Sequence, residues 1–249
     1  MNRGILMAEH TVVSHGEWLE ARKDHLVAEK EFTRARDRLS QARRDLPWEA
    51  VDKDYLFEGP TGQVTLDQLF DGRRQLVIYH AMWNPAAATP QTSWTADAAC
   101  PLCSWWMDNF DEVVVHLKQK NVTTIAVSRA PYAKLAAYRQ RMGWKFTWVS
   151  SGDTDFNFDL GVSFTPEQIA AKTPEYNYGS QNSWQTEAPG VTVFIKDDDG
   201  KIFHSYSAYA RGLDMLNVAY HYLDLVPMGR DEADTGPFWV RRHDEYENA

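Results

Sequence analysis

The sequence predicts an α/β fold in which helices flank a mixed β-sheet. Between residues 75 and 142, strand-like and helical segments alternate, which is typical of strand–helix–strand units with a parallel sheet. Later, two apolar runs at 191–195 and 202–207 flank an acidic turn at 197–200 and predict an antiparallel hairpin. With 43% hydrophobic residues in 249, the chain can bury a substantial core.

The segment before this core reads as a long helix. Ser14 and Glu17 match a capping box, residues 18–46 carry an irregular apolar stripe among charged residues, and Pro47 ends the pattern. We therefore expect a helical arm at 1–50, a main domain at 51–228 with an insertion at about 150–189, and a polar tail at 229–249. The stripe of the arm packs either on the domain or on a second copy of the chain, giving a homodimer.

The main domain is divided by its turn residues and apolar periodicity. The predicted order is a hairpin at 55–66, a strand at 75–80, a loop at 81–99, a helix from the cysteines to Leu117, a strand at 121–128, a helix at 131–142, a strand at 144–149, the late hairpin, and a last helix at 213–225. Loops as long as 81–99 tend to be functional, so we expect this one to cover or shape the site.

The chain contains two cysteines, Cys100 and Cys103, spaced C-x-x-C between a strand and a helix. Pro101 suits an early helical position, which places Cys100 at the helix N-cap, exposed, and Cys103 one turn further and more buried. Unpaired backbone N–H groups and the helix dipole stabilise a thiolate there. We expect Cys100 to attack a disulfide and Cys103 to resolve the mixed disulfide.

Other uses of two cysteines are less well supported. A zinc site needs two further ligands, and no second cysteine pair or close histidine pair supplies them. Two unreactive core thiols are the remaining structural interpretation.

Composition and motifs exclude several other classes. A net charge of −9 without a basic patch disfavours nucleic acid and anionic membranes as partners. The N-terminal apolar run is too short for a signal peptide and no stretch reaches membrane-spanning length, which favours a cytoplasmic protein. No glycine-rich phosphate loop or serine–histidine–aspartate arrangement is recognisable, so we expect no cofactor.

Several longer motifs resemble one bacterial family. They are CPLCSWW at 100–106, AVSRAP at 126–131, RMGW at 141–144, WVSS at 148–151, YARGLD at 209–214 and YHYLD at 220–224. Together they resemble the thioredoxin-like family of unknown function whose members are labelled predicted dithiol–disulfide oxidoreductases. The resemblance implies a thioredoxin-like fold in its peroxiredoxin-like elaboration and a redox-active Cys100–Cys103 pair.

Two positions depart from the thioredoxin pattern. Val191 occupies the position where many thioredoxins place a cis-proline, and Ala98–Ala99 replace the usual tryptophan before the first cysteine. Substrate docking of the general thioredoxin type is therefore not expected. The residues predicted to line the site are Pro101, Trp83, Trp105, Arg129, Val191 and Arg211.

Three alternative functions stay open. A peroxiredoxin-like peroxidase would need an arginine near the thiolate, for which Arg129 and Arg211 are candidates. A Cu(I) chaperone would use the cysteines with a histidine, for which His80 and His204 are weak candidates. In a non-catalytic interaction protein, the third alternative, the two cysteines would be incidental.

The oxidoreductase hypothesis also predicts partners. We expect a disulfide-bearing protein or a small-thiol substrate, together with a reductase system that returns electrons to the dithiol.

Overall fold

A computed structural model describes residues 10–152, 154–180, 185–232 and 236–247. The chain divides into two compact units, Met1–Pro47 and Trp48–Ala249. Within the described ranges, no helix has the length and apolar character needed to cross a membrane.

The first unit contains helix α1 (His15–Arg44). The predicted capping box is present: the Glu17 backbone N–H donates to Ser14 Oγ at 3.3 Å, and the Ser14 N–H donates to the Glu17 carboxylate at 2.9 Å. Arg43 and Arg44 lie in the last turn, where positive charge is favourable to the helix dipole. No side chain of α1 is buried.

The second unit is built on a mixed sheet. The strands of this unit are β1 (Glu49–Ala50), β2 (Leu56–Gly59), β3 (Gly62–Thr65), β4 (Gln75–His80), β5 (Val122–Ser128), β6 (Thr147–Ser150), β7 (Glu175–Tyr176), β8 (Gly179–Ser180), β9 (Gly190–Lys196) and β10 (Ile202–Tyr209). Strands β7 and β8 form a separate small hairpin, and the others belong to the main sheet. Over the described residues, the order in the main sheet is β1-β10-β9-β4-β5-β6-β2-β3. Strands β4, β5 and β6 are parallel, and β9 pairs antiparallel with β4 and β10.

The helices of the second unit follow the predicted alternation. They are α2 (Leu66–Leu69), α3 (Pro101–Asp111), α4 (Val114–Lys118), α5 (Tyr132–Arg141), α6 (Phe156–Asp159), α7 (Pro166–Ala171) and α8 (Val218–Leu223). Helices α3 and α4 connect β4 to β5, and α5 connects β5 to β6. A parallel core completed by a late antiparallel hairpin, with a helix starting at a C-x-x-C pair, confirms the predicted thioredoxin-like α/β fold.

Three predicted boundaries were wrong. The cysteine helix ends at Asp111 rather than at Leu117, and a short helix α4 follows. The strand predicted at 144–149 begins only at Thr147, because the N–H groups of Lys145 and Phe146 bind the Asp111 carboxylate instead of a neighbouring strand.

The third boundary concerns the last helix, predicted at 213–225. It is a 3₁₀ segment, Ala210–Leu216, followed by α8. The two segments meet at Asn217, whose buried side chain accepts a hydrogen bond from the Tyr220 N–H and caps α8.

The sheet separates two hydrophobic cores. Alternate side chains of β4 enter different cores: Leu76 and Ile78 pack with Phe57 and Phe156, whereas Tyr79 packs with Trp148 and the cysteines. This is the period of two that a strand imposes on its side chains. The cysteine site therefore belongs to one face of the sheet.

The tail docks on the main domain. Val240 is 3% exposed and packs with Trp105 of α3 and Tyr220 of α8. The buried guanidinium of Arg242 donates to the Ala99 carbonyl at 2.6 Å. The tail therefore contributes directly to the start of the cysteine helix.

Truncating Leu76 to alanine tests the importance of the central strand. This side chain is fully buried, and we expect its loss to lower the free energy of unfolding by about 2 to 5 kcal/mol. Urea unfolding followed by circular dichroism measures the change. The same substitution at Leu56, which is exposed, is the matched control and should cost under about 1 kcal/mol. Equal losses at the two positions would contradict the assignment of the core.

Candidate active site

The cysteine pair lies where β4 leads, through residues 81–99, into α3. Cys100 is the N-cap residue of α3 and Pro101 follows as its first residue, as predicted. Cys103 lies one turn further along the helix. The two cysteines are 4.2 Å apart and are not joined by a disulfide.

The prediction that Cys100 is exposed was wrong. Cys100 is 0% exposed and Cys103 is 1% exposed. The 81–99 loop folds over the helix start, and Trp83 and Trp94 share the buried cluster of the cysteines. The Cys100 N–H donates to the Met82 carbonyl at 3.3 Å. The loop therefore covers the site, as its length had suggested.

The pKa values of the two thiols are shifted in opposite directions. A hydrogen bond from Cys103, assisted by Ser93 and by the backbone N–H groups of Leu102 and Cys103, lowers the pKa of Cys100 to about 7. Burial and the adjacent Cys100 sulfur raise the pKa of Cys103 well above its ordinary value. Near neutral pH, the pair therefore carries its negative charge on Cys100 and its proton on Cys103.

Cys103 has two further polar neighbours. The Met82 N–H donates to its sulfur at 3.3 Å, and the Tyr79 hydroxyl also hydrogen bonds to it. Burial and the Cys103 sulfur raise the pKa of Tyr79, so its hydroxyl keeps its proton and acts as a donor. Both groups therefore favour negative charge on the Cys103 sulfur.

A cavity of about 730 Å³ lies beside one cysteine of the pair. Cys103 forms part of its wall, while Cys100 does not. The apolar part of the wall consists of Tyr79, Met82, Leu102, Trp106, Pro189, Leu213, Tyr220 and Pro237. Of the two cysteines, Cys103 is therefore the one that borders this cavity, although its side chain is as buried as that of Cys100.

Charged side chains also line this cavity. Arg211 extends into solvent and forms an ion pair with Asp214 at 3.1 Å. Arg230 bridges Asp214 and Asp224, and its guanidinium lies 3.7 Å from the ring centre of Tyr220. These ion pairs hold the 3₁₀ segment, α8 and the chain that follows α8 together beside the cavity.

The other residues predicted to line the site divide into two groups. Trp83 and Val191 share the buried cluster of the cysteines. Trp105 instead contacts Trp239 and Tyr220, with ring centres 5.2 and 4.8 Å away. Arg129 makes its ion pair with Glu187 at 3.5 Å and its guanidinium lies over the Phe158 ring.

Glu187 is a buried carboxyl that the sequence did not single out. It is 3% exposed, accepts hydrogen bonds from Asn84 and Ser163, and pairs with Arg129. Burial raises its pKa to about 7. Nearby in the chain, the Gln185 side chain accepts hydrogen bonds from the N–H and hydroxyl of Ser93. Residues 185–187 therefore fasten the covering loop.

The two histidines considered as metal ligands belong to another hydrogen-bond chain. It runs from His80 through Thr192 and Ser207 to His204, which binds Glu49. Burial lowers the pKa of His80 to about 3, so it stays neutral at physiological pH. In the described ranges, no group of three or more histidine, cysteine and acidic side chains is arranged to hold a metal ion.

Sequence reasoning missed four residues at the site: Tyr79, Met82, Ser93 and Glu187. The position of Tyr79 could have been predicted from the two-residue period of a strand. It faces the same side of β4 as Val77 and therefore the cysteine helix. The other three have no signal in the sequence, since loop contacts decide their positions.

The fold and the paired thiols define a thioredoxin-like protein with a dithiol at a helix start. The profile of the family described as "Bacterial protein of unknown function (DUF899)" matches residues 7–246. The chain belongs to this family. No curated protein matches the chain.

Several solved structures are similar to this chain at low sequence identity. Peroxiredoxin Q from Xanthomonas campestris is 17% identical, with a TM-score of 0.45 over 70% of this chain and 96% of the other. Peroxidoxin BcpB from Mycobacterium tuberculosis is 15% identical, with a TM-score of 0.43 over 70% and 94%. The mitochondrial 2-Cys peroxiredoxin from Plasmodium falciparum is 14% identical, with a TM-score of 0.39 over 71% and 93%.

Two substitutions at Cys103 test the origin of the low pKa of Cys100. Cys103→Ala removes the hydrogen bond that contributes most, so the pKa of Cys100 should rise by about one unit. Cys103→Ser keeps a hydroxyl donor at the same place and should raise it less. Thiolate absorbance in the ultraviolet, followed against pH, measures both values. Equal pKa values in the two variants would show that the donor at position 103 is not the cause.

Replacing Glu187 with glutamine tests the buried carboxyl. The raised pKa means that the folded protein keeps the proton to higher pH than the unfolded chain. The stabilising contribution of the neutral form is complete below the ordinary pKa, and it is lost as the pH rises through about 7. Relative to Glu187→Gln, the wild type should lose on the order of 3 kcal/mol of unfolding free energy across this window.

Urea unfolding of both proteins at several pH values gives this difference directly. Groups elsewhere titrate equally in the two proteins and cancel in the comparison. A difference that stays constant with pH would mean that Glu187 titrates normally in the folded protein.

Proposed function

We propose that the protein is a dithiol–disulfide oxidoreductase that works through Cys100 and Cys103. The observation that carries the proposal is the asymmetric pair of free thiols at the start of α3, with the pKa of Cys100 lowered to about 7 and that of Cys103 raised. An attacking thiol reacts best when its pKa is close to the ambient pH.

The proposed reaction reduces a substrate disulfide. The Cys100 thiolate attacks one substrate sulfur, forms a mixed disulfide and releases the other sulfur as a thiolate. Cys103 then gives up its proton and attacks the Cys100 sulfur, which closes the Cys100–Cys103 disulfide and releases the second substrate thiolate. The substrate gains the two electrons that the dithiol loses, and the Cys103 proton passes to a departing thiolate.

Access is the special requirement of this scheme. Because Cys100 is fully buried beneath residues 81–99, its attack on a protein disulfide requires this loop to move aside. The contacts that would have to open are the hydrogen bonds between Ser93 and Gln185 and between Asn84 and Glu187. The reactive thiolate is thereby protected from indiscriminate oxidation.

The two arginines considered for peroxide reduction are each engaged by a carboxylate. The peroxidase alternative needs an arginine beside the thiolate. Arg129 pairs with the buried Glu187, and Arg211 pairs with Asp214 at the cavity that reaches Cys103.

A redox titration tests the proposed function. Purified protein is equilibrated in graded dithiothreitol buffers and its free thiols are counted. We expect a reversible two-electron transition in the thioredoxin range, roughly −270 mV. Cys100→Ser and Cys103→Ser serve as matched controls, because each keeps one thiol that should remain free throughout. A wild-type pair that never closes would remove the dithiol mechanism.

A further inference from the structure

The cavity beside Cys103 has a feature that substrate reduction by Cys100 does not use. Cys103 is one of the residues that line this cavity, whereas Cys100 lies outside the lining. With about 730 Å³ and mostly apolar walls, the cavity has the size of a site for one small organic molecule, and a folded protein cannot enter it.

We propose that this cavity is the entry site for a low-molecular-weight thiol with an apolar or aromatic substituent, which re-reduces the oxidised protein by attacking the Cys103 sulfur. This inference rests on the proposed function, because it requires a Cys100–Cys103 disulfide. It assigns the two half-reactions to opposite sides of the pair, with Cys100 serving the disulfide substrate and Cys103 serving the reductant.

The chemistry of the leaving group agrees with the position of the cavity. When a small thiolate attacks Cys103, the bond between the cysteines breaks and Cys100 departs as the thiolate. Departure is faster for a sulfur of lower pKa, and Cys100 is the cysteine whose pKa is lowered. Attack at Cys100 would instead expel Cys103, whose pKa is raised.

A second molecule of the thiol completes the cycle. It attacks the sulfur of the bound substituent, forms the small disulfide and expels Cys103 as a thiolate, which then takes up a proton. The Met82 N–H and the Tyr79 hydroxyl face this sulfur and stabilise the charge as it forms. In total, two thiols become one small disulfide and the protein regains its dithiol.

The walls of the cavity define the preferred thiol. Leu102 and Leu213 provide aliphatic surface, and Trp106 and Tyr220 provide aromatic surface. The exposed guanidinium of Arg211 stands at the same cavity, so a carboxylate on the thiol is compatible with binding. The alkyl thiol 4-(mercaptomethyl)benzoate has both properties, and the mass of its adducts identifies the cysteine that it attacks, which makes it a suitable probe.

The first experiment locates the attack in the wild-type protein. The disulfide is formed with diamide and exposed briefly to excess 4-(mercaptomethyl)benzoate; the reaction is then quenched with acid, free thiols are alkylated and the adducts are mapped by mass spectrometry. We expect the probe on Cys103 and the alkyl group on Cys100. The probe on Cys100 at the earliest times would overturn the inference and leave the proposed function intact. Failure of diamide to form the disulfide would instead refute the proposed function.

The second experiment blocks the cavity. Pro237 lines it, whereas the neighbouring Phe238 is exposed and does not. Pro237→Trp should slow the reaction with the probe by roughly tenfold or more, while the matched control Phe238→Trp stays within about twofold of the wild type. The midpoint potential should be unchanged in both variants, because a blocked entrance alters a rate and leaves the equilibrium alone. An unchanged rate in a folded Pro237→Trp variant would contradict the cavity as the route.

Discussion

The backbone of Met82 forms a hydrogen bond with each of the two cysteines. Its carbonyl accepts the N–H of Cys100, and its own N–H donates to the sulfur of Cys103, each at 3.3 Å. Since Met82 follows β4 by two residues, these contacts tie the end of the central strand to the start of α3. The loop cannot cover Cys100 in this way without also setting the position of Cys103.

This constraint explains why one dithiol presents two different sulfurs. The loop buries Cys100, but the helix N-terminus, Ser93 and Cys103 still stabilise its negative charge. Cys103 is equally buried and sits beside a sulfur that carries that charge, so its own ionisation is opposed. Burial therefore does not exclude negative charge from the pair, because the thiolate is favoured on one residue and the proton on the other.

The sequence predicted the parts of the fold that depend on local patterns. The strand–helix alternation, the capping box at Ser14 and the N-cap position of Cys100 follow from residue periodicity and from turn and capping chemistry, and the structure has them all. The start of β6 was misplaced because the Asp111 carboxylate, more than thirty residues away, takes the N–H groups that a strand would have used.

The burial of Cys100 could not be predicted for a similar reason. Its cover depends on contacts between segments far apart in the chain, such as Ser93 with Gln185. No periodicity in a single sequence records such contacts. The family resemblance correctly indicated the thioredoxin-like fold. The expectation that the first cysteine is exposed at the helix N-cap was wrong for this chain.

The docking of the tail has a consequence for the order in which the site is assembled. Arg242 binds the carbonyl beside Cys100 but is synthesised 143 residues after Ala99, and the strand β9 that flanks β4 also comes late. On the ribosome, where domains fold as their residues emerge, the cysteines leave the exit tunnel long before their cover is complete. The nascent chain therefore carries both cysteines before the later segments that fasten the start of the cysteine helix have been made.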